Sequence, residues 1–534
     1  MKIDYGNTAN NEFYAEEAEK AIQWLLAIRD PEKMGWAWVQ FIQPNEQNTA
    51  EVISTFVDYI DYFADKEEAL TDIVNSINYW LLNSSHPKIS IDYCWVLMAL
   101  QKVRSCQLLR SRLDGAVLSR TIIECLNWIC SHRNTEERRS IQQLENSTGI
   151  KGCGWGDNED EISNTIRTSL AVLALNREIS WRTQQIEDVT NRIIAAKETG
   201  VEDSDPIIQH LTDEMAAYEY DLERYKQTAQ NGIDWLLSIQ NSDGGWGNLD
   251  KKSINREYEE IHSFSFSDLQ YQCDSNAACT GYAMVALSSD PLNRYASHLR
   301  KALGFMRSAQ GKDGKWDIFV EIGIRDGVRY TFRHFGTTWA IQGLIRSGMA
   351  DYTDECIIKG FEYLTTLQDE NYGGWKSSSN ADNYTWATCN ALDTIKLLKD
   401  SLSAVKARQF LRLVCEWWEM KKREGHYYFQ IGNHYFAFNG SMCCLFCIVF
   451  SVMITLLLYF AYSLLTPLLA GQGEFVEKMV YSVLTVSAAI ILGLPWIVFV
   501  KNVFHKEIEG WIDSIGWVYG IITGFVLVFY QFIM

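Results

Sequence analysis

One pattern recurs through much of the chain and leaves few folds open. A helix carries an aromatic residue, a Gln follows five positions on, and a short Gly-containing turn leads to Trp. It is clearest in IDWLLSIQNSDGGWGN (Trp235, Gln240, Gly244, Trp246), LGFMRSAQGKDGKWD (Phe305, Gln310, Gly314, Trp316) and FEYLTTLQDENYGGWK (Tyr363, Gln368, Gly373, Trp375). Looser copies carry Trp24, Arg29 and Trp36, then Trp128, Arg133 and Trp155; INYWLLNSS around Trp80 keeps only the helix, and Trp417 opens a last, incomplete copy. After each Gly-Trp turn comes a second helix of another kind, as in TSLAVLAL from Thr168, TGYAMVAL from Thr280, TTWAIQGL from Thr337 and TWATCNAL from Thr385. These second helices are apolar almost all round and belong in an interior, whereas the first helices carry charge on one face. Stacked helix pairs bury a continuous core that no single pair could bury alone. The pattern predicts an all-α chain whose residues 1–432 form an α/α toroid, an inner ring of helices inside an outer one.

The step from Trp128 to Trp235 is about one unit too long, and the excess is residues 177–232. Ile179, Ile186, Val189 and Ile193 recur at helical spacing, as do Leu211, Met215, Tyr218, Leu222 and Tyr225, with Asp205-Pro206 as the turn between them. A helical hairpin is expected there, either a surface for a protein partner or an inert strut.

Residues 433–534 differ in kind. From Gly425 to Gly473 there is no Asp, Glu, Lys or Arg, and Met479–Val500 and Ser514–Met534 are also uncharged. Each run can supply the ~20 residues a helix needs to cross a bilayer, so three transmembrane helices are expected at about 440–470, 479–500 and 514–534. Lys421, Lys422 and Arg423 precede the first run, and Lys501 and Lys506 follow the second, while the loop between offers only Lys478. The positive-inside rule places the large N-terminal part in the cytoplasm. No secretory signal is read at the N-terminus. The thirteen Cys are therefore expected as reduced thiols, Cys125, Cys279 and Cys389 among them, and Cys444-x-x-Cys447 as packing. A net charge of -19, from 67 acidic against 48 basic residues, excludes nucleic acid as a partner.

The aromatic–Gln–Gly–Trp units resemble the QW repeats of the squalene–hopene cyclase and oxidosqualene cyclase family, whose α/α toroid is shared by protein prenyltransferase β subunits. The resemblance covers roughly residues 20–420 and is tightest after Trp235. It implies that the turn Gln and Trp are structural. Cyclases of this family protonate an alkene or epoxide with the third acid of a DxDD motif just before an inner-helix Thr-Ala. Here Asn276-Ala277-Ala278-Cys279 precedes Thr280, Arg333-His334-Phe335-Gly336 precedes Thr337, and Ala381-Asp382-Asn383-Tyr384 precedes Thr385. No unit places Asp at the decisive position, so cyclisation by that route is not expected; a buried Asp or Glu within the chamber would overturn this. Prenyltransferase β subunits hold zinc with D-x-C and a distant His. Cys273-Asp274 and His334 approach that set without its spacing, and His334 also reads as a hydrogen-bonded turn residue. Asp157, Glu159 and Asp160 resemble a Mg²⁺–diphosphate cluster by composition, or are solvated charge at a helix entry. No cofactor is therefore expected, with zinc or magnesium as the exceptions those residues leave open. Asp274, His334 and Asp382 stay as catalytic candidates.

The inner-helix ends give a toroid's central cavity aromatic walls: Tyr271, Tyr282, Phe335, Trp339, Tyr384 and Trp386, with Arg333 at the rim. Such a chamber suits an isoprenoid or other lipid-like ligand, or the rings simply fill the centre. Three functions follow: a membrane-anchored binding module for an apolar ligand or protein partner, a divergent terpene cyclase or prenyltransferase acting on a membrane-borne isoprenoid, or a membrane-perturbing effector of a bacterial defence system.

Overall fold

The computed structural model describes residues 15–438 apart from 40–41, 83–88, 135–152, 158–161, 200–203, 251–265, 291–293, 326–327, 380, 419, 424–425 and 432–433. The chain divides into two compact units, Met1–Leu402 and Ser403–Met534.

In the first unit the outer helices are α1 (Ala15–Ala27), α3 (Glu67–Ser76), α5 (Gly115–Ser131), α8 (Leu222–Ser238), α11 (Ala296–Ala309) and α13 (Glu355–Thr365). The inner ones are α2 (Glu46–Asp58), α4 (Ser90–Ser105), the first half of α6 (Thr165–Glu198), α10 (Ala277–Ser288), α12 (Gly336–Arg346) and the start of α14 (Thr385–Trp418). Three inner helices start on Asn: Asn45, Asn164 and Asn276 each accept a bond from the backbone N–H three residues on, satisfying a donor with no partner inside the helix. Every residue of α10 from Ala277 to Leu287 is buried. By contrast α13 buries only Cys356, Ile357, Gly360, Phe361 and Leu364, the stripe of a helix that faces inward on one side.

The inner helices pack in sequence, α2 on α4, α4 on α6, α6 on α10 and α10 on α12. Gln342 of α12 then bonds the Asn390 carbonyl and Thr394 of α14, at 3.4 and 3.2 Å. Closure is made by α2 on α14: Tyr59 donates to the Leu392 carbonyl at 2.8 Å and Thr55 to Asp393 at 3.1 Å.

The Gly-Trp turns repeat one set of bonds. Indole Nε1 of Trp36, Trp155, Trp246, Trp316 and Trp375 donates to the carbonyl of Leu25, Ile129, Leu236, Met306 and Leu364 respectively. Each acceptor lies in the last turn of its outer helix, where carbonyls lack an intrahelical partner. The backbone N–H of each Trp donates to a Thr of the following inner helix: Thr49, Thr168, Thr280, Thr337 and Thr388. The turn Gln ties neighbouring units, since Gln240, Gln310 and Gln368 reach the carbonyls of His298, Cys356 and Glu17 near the start of the next outer helix. The last of these joins the sixth pair to the first. Gly is required at 314 twice over: its φ is +86°, and an added Cβ would sit 2.2 Å from the Lys359 carbonyl oxygen. All five Trp are fully buried, each worth about 4–6 kcal/mol by area before conformational entropy is subtracted.

The inserted segment is built differently from an added hairpin. Helix α6 runs unbroken from the inner ring to Glu198, and α7 (Pro206–Glu219) returns antiparallel along it. Trp181 meets Tyr218 edge-on and Arg192 pairs with Glu214. The chain turns at Asp221, φ 63°, directly into outer helix α8, so Leu222 and Tyr225 belong to the ring. A short helix, α9 (Phe266–Cys273), precedes α10, and an antiparallel hairpin of β1 (Phe319–Arg325) and β2 (Val328–His334) precedes α12. The fold is thus mostly helical rather than wholly so.

In the second unit, three strands, β3 (Met420–Arg423), β4 (His426–Ile431) and β5 (His434–Phe438), form an antiparallel meander. Trp417 opens no further repeat, because it lies in α14. The apolar runs at 440–470, 479–500 and 514–534, with Cys444 and Cys447, lie outside the described residues. No helix among the described residues is long and apolar enough to cross a membrane. The cysteines described are free thiols, most of them buried.

Candidate functional site: an aromatic chamber with a neutral acid

The N-terminal ends of the inner helices surround a chamber of about 50 Å³. Its walls are Trp95, Tyr282, Trp339 and Trp386, with Trp38 and Phe332 across the mouth. Tyr282 and Trp339 stack at 3.5 Å between ring centres, and Trp38 meets Phe332 at 4.6 Å. The volume has room for a few water molecules. The rings largely fill the centre, and a bulky ligand enters only if some of them move.

Glu51 of α2 lines this chamber and is 5% exposed. Its one hydrogen bond is accepted from Gln47 Nε2 at 2.8 Å. Burial pushes its carboxyl up to about 8, more than the Gln47 bond lowers it, with the charge of Asp393 adding to the rise. At neutral pH the group is therefore mainly an uncharged carboxylic acid. Sequence reasoning missed Glu51, because it precedes no Thr-Ala and its unit is a loose copy. The signal available was an acid on the apolar face NTAEVISTF.

A second cluster lies beneath the hairpin. Arg167, fully buried at the start of α6, pairs through Nε with Asp157 and through Nη1 with Glu321 of β1. His334 Nε2 lies 3.0 Å from Glu321, and Asn248 donates to the same carboxylate at 3.3 Å. Burial opposes ionisation of Glu321 most strongly, but Arg167 and His334 together outweigh it and hold the carboxyl at about 2. The cluster latches β1–β2 over the chamber. Asp157 is thereby accounted for as an ion-pair partner.

Of the residues expected at the cavity, Tyr282, Arg333, His334, Trp339 and Trp386 line the chamber. Phe335 is buried beside it, Tyr384 stacks on Trp386 at 5.6 Å, and Tyr271 lies at the surface, where its hydroxyl accepts from the Val320 N–H. Asp274 and Asp382 are exposed and line no part of it. Among the described residues no three His, Cys, Asp or Glu are grouped to hold a metal; Glu159 and Asp160 lie outside them.

Paired helical rings, Gln–Gly–Trp turns and an aromatic centre define an α/α toroid of the terpene-cyclase-like kind. Residues 195–394 match the family model for the squalene-hopene cyclase C-terminal domain. A squalene–hopene cyclase of Zymomonas mobilis is 23% identical over 161 residues, 30% of this chain and 22% of that protein. Enfumafungin synthase of Hormonema carpetanum is 26% identical over 158 residues, 27% of this chain and 11% of that protein. The chain thus spans less than a quarter of the length of these relatives. Among solved structures, a D-mannose isomerase aligns with a TM-score of 0.45 at 14% identity, covering 73% of this chain and 99% of its own.

Proposed function

We propose that this chain is a membrane-anchored, terpene-cyclase-like binding module that holds an isoprenoid or other lipid-like ligand in the aromatic chamber on the cytoplasmic side. The observation that carries the reading is a chamber walled by aromatic rings in which Glu51, the one carboxyl among its described lining residues, is kept neutral, with Gln47, Arg333, His334 and Asn390 among its other polar groups. A neutral acid can donate one hydrogen bond to a ligand oxygen without placing charge beside a hydrocarbon. Entry of a ligand larger than a few atoms needs the hairpin to lift and Phe332 to leave Trp38. The anchor is the three apolar runs after residue 440, and the bilayer supplies the ligand.

Glu51 also favours a second reading, a divergent terpene cyclase or prenyltransferase with Glu51 as proton donor. Glu51 is the buried chamber acid that overturns the expectation of a toroid without a proton donor. Against donation to an alkene, a very weak base, stands its weak acidity, since an acid held near 8 gives up its proton less readily than an ordinary carboxyl near 4.5, by roughly 5 kcal/mol. A protein partner would use the arm formed by the end of α6 and α7, where Ile194, Ile207 and Tyr220 are exposed.

Purification of the full chain in mild detergent, followed by mass spectrometry of its organic extract, tests the ligand. A stoichiometric apolar molecule in wild type, lost in Asn390→Trp, is expected. No such molecule, together with no thermal shift on adding farnesol, refutes it. Conversion of an added isoprenoid that Glu51→Gln abolishes would select the enzyme reading instead.

A further inference from the structure

The opposite face of the ring carries a second and larger concavity, about 870 Å³, within the size range of small-molecule sites. It lies where α2, α4 and α10 end and α6 continues outward. Val57, Ile60 and Leu108 are its apolar lining, joined by the indole of Trp181 of α6.

Three cations reach this pocket, and two of them have a carboxylate partner. Lys102 pairs with Asp58 and also donates to the Ser54 carbonyl. Arg104 forms a two-pronged pair with Glu178 and stacks on Trp181, its guanidinium carbon 3.4 Å from the ring centre. Arg177 is half-buried in the pocket and makes no ion pair or hydrogen bond with any described residue. Burial and then the like charge of Arg346 draw its pKa down to about 10, against the attraction of Asp58 and Asp393. It stays charged at neutral pH. Asp61, also in the lining, is exposed at the rim.

A guanidinium fork in a partly desolvated pocket is matched by a planar two-oxygen anion. A guanidinium without an ion-pair partner, beside an apolar wall and an indole, calls for an anionic head on a hydrophobic body. The geometry points to a binding site for a small organic carboxylate, its head on Arg177 and its apolar part against Trp181, Val57 and Ile60. This site is separate from the chamber and does not depend on the function proposed for it.

The test is calorimetric titration of the full-length chain with phenylacetate, phenyl phosphate and inorganic phosphate. Saturable one-site binding of phenylacetate is expected, weakened about tenfold or more by Arg177→Gln, since a charge-assisted pair is lost. Ser180→Asp, one helical turn on from Arg177, is the second variant. Its carboxylate occupies the guanidinium from within, so it abolishes binding while raising the melting temperature of the ligand-free protein, which shows that the variant folds. Absence of phenylacetate binding, or binding that Arg177→Gln leaves unchanged, overturns the site. Tighter binding of phenyl phosphate overturns the carboxylate assignment. Equal binding of inorganic phosphate and phenyl phosphate overturns the role of the apolar wall.

Discussion

Replacing Glu51 with Gln tests whether the buried chamber acid is neutral. The carboxyl is 5% exposed, accepts one bond from Gln47, and is held near 8 mainly by burial. In the unfolded chain it titrates near its ordinary 4.5. The folded state therefore binds this proton more tightly, so the stability linked to it is complete below about pH 4.5 and is lost as pH rises through 8. At 1.36 kcal/mol per pH unit, the full loss is roughly 5 kcal/mol. Gln keeps the shape and still accepts from Gln47, but it cannot ionise, so its stability does not carry this slope. Asp393 is also pushed up by burial and is present in both proteins, so the difference between them reports Glu51 together with its interaction with Asp393. Urea melts of both full-length proteins in detergent at pH 5, 7 and 9 give that difference. Wild type should lose several kcal/mol relative to Glu51→Gln between pH 5 and 9. In parallel, the infrared band of a protonated carboxylic acid at pH 7 should vanish in the variant. Parallel stability curves, within about 1 kcal/mol across the range, would refute the reasoning, because a group that costs so much to ionise cannot be silent.

Gly314→Ala should destabilise the ring by about 1–3 kcal/mol in urea melts, because its φ of +86° and the Lys359 carbonyl both exclude a Cβ. Trp316→Phe should cost about 1–3 kcal/mol, leaving the Met306 carbonyl without its indole donor. Arg167→Ala strips Asp157 and Glu321 of their shared counter-ion; a loss of about 3–5 kcal/mol is expected, with faster protease cleavage in the hairpin than in α10. A chain ended at residue 438 should leave the membrane fraction on ultracentrifugation; retention there would show that the three apolar runs are not the anchor.

The ring was legible because its signal is repeated. The Gln and Trp at each turn bond backbone groups that every helix end leaves open, so the same residue types must return at the same places. Arg29 shows how a loose copy still works: it replaces the Gln and reaches Asp72 and Ser76 of the next outer helix. The β1–β2 hairpin was not legible, since nothing in DIFVEIGIRDGVRYTFRH repeats elsewhere and its docking depends on Arg167, 154 residues away from Glu321 in sequence. Glu51 was missed for a related reason. Its acidity is set by Trp95, Tyr282, Trp339 and Trp386, contributed by four other helices, and no local motif encodes that surrounding.

The inner helices that can be followed from one end of the ring to the other run the same way, with Gln47, Ile91 and Tyr282 at the chamber and Val57, Lys102 and Ser289 at the opposite pocket. Their dipoles add along the ring axis, positive at the chamber and negative at the pocket. The dipoles favour the buried carboxylates Asp157 and Glu321 at the first end, where Arg167 also pairs with them. They favour Lys102, Arg104 and Arg177 at the second, where Asp58 and Glu178 also lie. Arg177 remains charged in the ligand-free protein through the attraction of Asp58 and Asp393, although neither pairs with it directly. The two ends should then answer to different substitutions. Asn390→Trp, which fills the chamber, should leave phenylacetate affinity within about twofold of wild type, since no lining residue is shared. Ser180→Asp should leave any extracted apolar ligand in place. Loss of both activities in either variant would mean that one cavity, not two, runs through the ring.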